Sequence, residues 1–76
     1  MKNRIEVRPE VHFGKPCIAG TRITVQSVLE LVREGVPFET IIRDYYPNIN
    51  AQDIKACIQY AIDVVGSEEI HINAAS

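Results

Sequence analysis

Gln52, Lys55 and Gln59 recur three and four residues apart, with Ala56 beside them. On a helix that spacing puts all three on one side. Glutamine can pair bidentately with adenine, and lysine can take guanine or phosphate, so the trio is a candidate major-groove face. Asp53 and Asp63 in the same stretch would repel a phosphate backbone, and a simple solvated helix face accounts for the same residues. Lys2 and Arg4, in the basic N-terminal stretch, are the accompanying candidates for phosphate contact. Two further cations stand at turns: Lys15 between Gly14 and Pro16, and Arg22 after Gly20-Thr21. Arg22 can reach outward for phosphate or carboxylate, or it can anchor the chain through an ion pair with Glu30. Both readings stay open.

Catalytic chemistry fails on counting. His12 and His71 lie at opposite ends, neither Cys17 nor Cys57 has a metal-type neighbour, and no Cys-x-x-Cys or His-x-x-x-His spacing occurs. Gly14-Lys15-Pro16 lacks the rest of a phosphate loop, and the acids are scattered as solvating residues would be. The expectation is a binding protein with no cofactor.

Seventy-six residues make one domain. A chain of this size buries only about 60% of the surface its unfolded form exposes, so it gains from a disulfide, a metal or a partner. Cys57 sits in an apolar helical pattern and no signal segment precedes the domain, so two buried free thiols are expected rather than a bridge. Association then becomes the source of extra stability. No apolar run nears the ~20 residues of a membrane span, and Ile5-Glu6-Val7-Arg8-Pro9 alternates unlike a signal core, which places the chain in the cytoplasm. The formal net charge is −2, but residues 1–22 carry +3 and residues 23–76 carry −5. One end can face phosphate while the other faces something basic.

The elements that must position these side chains are short. Ile5 and Val7 alternate with Glu6 and Arg8 as a half-buried strand ended by Pro9. Cys17-Ile18 and Ile23-Thr24-Val25 flank Ala19 to Arg22, which predicts a tight ribbon with Gly20 at a positive φ. Val25, Val28, Leu29 and Val32 mark a first helix, capped by Thr24 and ended by Gly35. Phe38, Ile41, Ile42 and Tyr45 mark a second, stopping before Pro47. The third has Asn50 as N-cap, Asp53 at its third position, and Ile49 and Ile54 as a hydrophobic staple. Ile54, Cys57, Ile58, Ala61, Ile62 and Val65 form its apolar stripe, and Gly66 is expected to close it. The compact turn Tyr46-Pro47-Asn48-Ile49 between helices two and three fits a helix-turn-helix. Residues 67–76 form a separate acidic tail in which Ile70 and Ile72 alternate around His71.

With these residues in view, the chain resembles the small antitoxin family catalogued as domain of unknown function 433. The resemblance rests on Gly14-Lys15-Pro16, the pair Cys17-Ile18, Gly20-Thr21-Arg22-Ile23, the helix-ending Gly35, and Glu39 to Ile41. Tyr46-Pro47, Asp53-Ile54, Ala56 and Tyr60-Ala61 follow in order, so the match spans residues 5–62. Two departures stand out. Pro37-Phe38 replaces the family's Ser-Pro at the entry to helix two, and nothing beyond Gly66 aligns.

The resemblance implies a mainly α fold: a three-helix, homeodomain-like helix-turn-helix bundle over residues 1–66 with a short N-terminal β element. It also implies the antitoxin half of a type II toxin–antitoxin pair, which would bind and inhibit a PIN-like ribonuclease toxin and also bind its own promoter DNA. Two toxin contacts are then open. The tail residues Glu68, Glu69, Ile70 and Ile72 would occupy a basic RNA rim and its apolar pockets, or Lys15 and Arg22 would reach the toxin's carboxylates. The competing readings are a stand-alone dimeric helix-turn-helix regulator and an interaction module of a larger complex. A two-fold homodimer is the expected assembly, with the open edges of the ribbon inviting strand pairing.

Overall fold

The protein is described by a computed structural model that covers residues 4–67. Lys2 and the tail residues Glu68, Glu69, Ile70 and Ile72 lie outside the described residues. Two short strands, β1 (Ile5–Val7) and β2 (Pro16–Ile18), are followed by α1 (Val25–Arg33), α2 (Phe38–Thr40) and α3 (Ala51–Ser67). A π-helical turn, Ile41–Tyr45, prolongs α2. The fold is mainly helical: three helices beside a two-stranded antiparallel sheet.

The strands pair differently from the expected ribbon. β1 runs antiparallel to β2 in the register Ile5↔Ile18, Glu6↔Cys17 and Val7↔Pro16. The ribbon across Gly20 shrinks to one bridge, Cys17↔Thr24, and one hydrogen bond from Ile18 N–H to Ile23 C=O at 2.9 Å. Thr21 explains why. Its hydroxyl donates to Ile18 C=O (2.8 Å) and accepts from Ile23 N–H (3.0 Å), bending the chain into a closed turn instead of a second strand. Gly20 supplies the required positive φ of 79°.

Helix ends follow local chemistry. Thr24 Oγ1 accepts from Ser27 N–H (3.1 Å) and caps α1. At the other end Gly35 adopts φ 84°. Gly35 N–H bonds Val32 C=O (2.9 Å) and Val36 N–H bonds Leu31 C=O (3.1 Å), the paired closure of a Schellman motif. Pro37 precedes α2 with no side-chain cap, as the missing serine foreshadowed. The π turn closes through Tyr46 N–H on Ile41 C=O (2.8 Å), five residues back. Pro47 accounts for the stop, since Tyr46 before it is pushed to φ −134°. α3 opens with a reciprocal box: Asp53 N–H donates to Asn50 Oδ1 and Asn50 N–H donates to Asp53 Oδ2, both at 3.0 Å. Ile49 and Ile54 on either side are buried.

The core gathers Ile18, Val25, Val28, Ile41, Ile49, Ile54 and Cys57, so β2, α1, the π turn and α3 meet in one cluster, with half-buried Phe38 of α2 packed against it. Each fully buried aliphatic side chain stabilises by about 1.5–3 kcal/mol. The apolar stripe of α3 is only half used. Ile54 and Cys57 are fully buried, whereas Ile62 and Val65, expected on the same buried stripe, are 56% and 64% exposed. Nor does Gly66 close the helix, which continues through it to Ser67.

The two glycines therefore behave oppositely. Gly35→Ala forces a Cβ into the left-handed region and should destabilise by about 1 kcal/mol. Gly66→Ala places alanine in open space inside a helix and should stabilise by a few tenths of a kcal/mol. Urea denaturation of both variants measures the sign of each change.

Candidate partner-binding surfaces

Three surfaces carry what the core leaves over. The first is the far end of α3, where Ile62, Val64 and Val65 are all exposed within two turns. Ala61 and Val64 also form one wall of a groove of about 630 Å³, whose other wall is Val25, Leu29 and Arg33 of α1. Pro16 contributes to its apolar lining, and Lys15 and Glu30 bring opposite charges to it. Pockets of about 300–1,000 Å³ with apolar walls and few polar groups are the usual form of a binding cleft.

The second surface is the turn before β2. His12, Phe13 and Gly14 adopt φ of 50°, 57° and 83° in succession. Left-handed backbone at a non-glycine residue costs on the order of 1–3 kcal/mol and persists only where surroundings enforce it. Here Gly14 N–H bonds Val11 C=O (3.0 Å) and Lys15 N–H bonds His12 C=O (3.1 Å). Val11 is buried beneath, and His12 Nε2 hydrogen-bonds Arg22 C=O at 2.8 Å. That bond ties the turn to the Gly20 loop and brings Lys15 and Arg22 to one end of the molecule. Phe13 stands at this tip with its side chain 100% exposed. Hydrophobic periodicity carries no trace of such a residue. The available signal was an aromatic placed directly before Gly-Lys-Pro, where a turn leaves little to pack against it.

The third surface is the polar side of α3. Gln52, Lys55 and Gln59 are all exposed there. Gln59 Nε2 donates to Asp63 Oδ1 (2.8 Å), and Arg4 is ion-paired with Asp53 (3.0 Å). Arg4, expected to touch phosphate, thus brackets β1 to the start of α3. Charge accounting sharpens the contrast. Arg8 pairs with Glu6, Arg33 with Glu34 and Arg43 with Asp44. Among the described residues Lys15, Arg22 and Lys55 are the cations in no ion pair. The alternative anchor for Arg22 is absent, because Glu30 accepts from Gln26 Nε2 (3.2 Å) instead. No cluster of three or more His, Cys, Asp or Glu side chains suited to a metal occurs among the described residues. No helix among them is long and apolar enough to cross a membrane.

A family described as "Protein of unknown function (DUF433)" matches residues 5–61, three quarters of the chain. The chain belongs to the DUF433 family. Its fold is similar to the 2.00 Å crystal structure of a DUF433 member protein from Anabaena variabilis ATCC 29413, with TM-score 0.76 and 28% identity. That similarity covers 86% of this chain but 63% of the Anabaena one, so the chain spans less than two thirds of that protein's length. No curated protein matches it.

This DUF433 domain keeps Cys17 and Cys57 as buried free thiols, as its composition suggested. Burial, with the nearby Asp53 carboxylate adding to it, pushes the Cys57 thiol up from its ordinary 9.0 to about 11. A raised acid pKa favours the folded state only while the thiol stays protonated. Between pH 9 and about 11 the unfolded chain releases this proton and the folded one holds it, so stability falls as pH rises. At pH 8 a thiol-specific disulfide reagent should label Cys57 only after denaturant is added. Immediate labelling of both cysteines in the folded protein would contradict the buried placement.

Proposed function

We propose that this DUF433 chain is the antitoxin of a type II toxin–antitoxin system, which binds and inhibits a PIN-like ribonuclease toxin. The observation that carries the reading is the bare apolar end of α3, with Ile62 and Val65 exposed immediately before Glu68, Glu69, Ile70 and Ile72 in the chain. A PIN-type active site is a carboxylate cluster around a metal, ringed by basic residues that hold RNA. An apolar helix end followed by acids and no lysine or arginine complements that basic ring and cannot itself displace the metal. Lys15 and Arg22, the other candidates for the toxin contact, are the weaker choice, since neither is followed in the chain by an acidic run that would meet the basic ring.

In this reading α2, the turn after it and α3 form a homeodomain-like helix-turn-helix. The exposed Gln52, Lys55 and Gln59 favour a second role, binding of operator DNA by α3. Its electrostatics are modest: Lys55 is the one cation of the trio, and Asp53 and Asp63 flank it. The stand-alone regulator is therefore the runner-up.

Co-expression with the protein encoded by the adjacent reading frame, followed by sizing of the complex, tests the proposal. A stable complex with loss of ribonuclease activity is expected. Ile62→Glu with Val65→Glu should weaken it about thirty-fold or more, the scale of a buried hot spot, without unfolding a domain whose core these residues do not enter. Full-strength binding by that variant would move the interface elsewhere. If duplex DNA is bound instead, log affinity should fall with log salt, by close to one unit of slope per phosphate contacted.

A further inference from the structure

We propose that Phe13 of one chain seats in the α1–α3 groove of a second copy, and the second copy's Phe13 in the first, giving a two-fold dimer. This stands apart from the nuclease reading and is tested on the purified chain alone.

Two unexplained features meet in it. Phe13 is fully exposed on left-handed backbone, so among the described residues nothing covers the wetted ring. The turn is also held, not loose, by the His12 contact to Arg22 C=O and by the buried Val11. A rigid aromatic presented this way loses little entropy on docking, the property that makes aromatic side chains interface anchors. The groove is the complementary feature. Its volume of about 630 Å³ and its walls of Val25, Leu29, Ala61 and Val64 admit an aromatic ring, and no side chain of the described residues fills it.

Their placement selects a second copy as the occupant. Lys15 and Pro16, two and three residues after Phe13, line the groove. Anchor and receptor are therefore neighbours on one surface, the condition for a closed, self-complementary contact in which each chain supplies what the other lacks. Charge agrees. Arg22 is in no ion pair among the described residues, and Glu30, which lines the groove, has no cation partner there. The intrachain pair that the sequence allowed becomes, across the two-fold, a pair between chains. Two aromatic rings at about 150–250 Å² each, the matching groove walls and the Lys15 and Arg22 stems reach roughly 1,000 Å², the lower end for a specific interface. An interface of that size belongs to the weak, reversible class.

Sedimentation equilibrium of the wild-type chain from about 1 to 300 μM, a span that brackets micromolar affinity, reads this directly. A monomer–dimer equilibrium is expected, weakened at least about thirty-fold by Phe13→Ser and retained by Phe13→Trp. Val64→Arg, on the groove side, should weaken it equally. Arg22→Glu should weaken it too, and Arg22→Glu with Glu30→Arg should restore it. Phe13 and Val64 lie outside the core, so circular dichroism should show these variants folded. A wild-type monomer across the range overturns the proposal. So does a dimer indifferent to Phe13→Ser, or one that the charge reversal fails to rescue.

Discussion

α3 has seventeen residues and α1 has nine, about 25 Å of helix against about 13 Å. Everything else in the molecule adjusts to that mismatch. α1, the sheet and the turn after α2 cover the first half of α3, which is where Ile54 and Cys57 disappear from solvent. From Ile62 to Ser67 every residue of α3 is exposed. The apolar side chains there still repeat at helical spacing, so the sequence treats this end as something to be covered. A domain near the lower size limit for independent folding has little stability to spare for an idle hydrophobic surface.

The covered half is fixed in place by one carboxylate. Asp53 accepts from Asn50 N–H to start α3, and its other oxygen takes Arg4 from the edge of β1. A helix cap and a strand-to-helix tie thus share a side chain, beside the buried Ile18 that packs the sheet against the helices. The same economy sets the charge pattern. Four arginines are consumed in ion pairs, three of them local, exposed and worth little individually. Lys15 and Arg22 remain in no ion pair at one end of the molecule, beside a strained turn and an exposed ring. The basic N-terminal balance visible in the composition is therefore a property of that tip, not of a continuous phosphate-binding face.

Much of this was legible beforehand because it depends on local rules. Thr24 and Asn50 as caps, Gly20 and Gly35 at positive φ, the Ile49–Ile54 staple and the Tyr46-Pro47 stop are all decided within a few residues. The errors lie where distance decides. Helical spacing says that Ile62 and Val65 share a face with Ile54, but not that the opposing helix is too short to reach them. Gly66 looks like a stop signal, yet α3 runs through it to Ser67. The 17–25 ribbon lost its pairing to β1 because Thr21 closed the intervening turn and left β2 to its N-terminal neighbour. Phe13 was invisible because an aromatic residue ordinarily signals the interior. The DUF433 match spans residues 5–61, the stretch that holds these turns and caps.

The account depends on the unfinished end of α3 being an interface. Amide hydrogen exchange along α3, in the free chain and in complex with the protein encoded by the adjacent reading frame, addresses that point most directly. With the free chain dilute enough to be monomeric, residues 51–60 should be protected in both states, whereas residues 61–67 should exchange quickly alone and become protected on binding the partner. Protection that leaves residues 61–67 unchanged, or appears on the Gln52–Gln59 face instead, would contradict it.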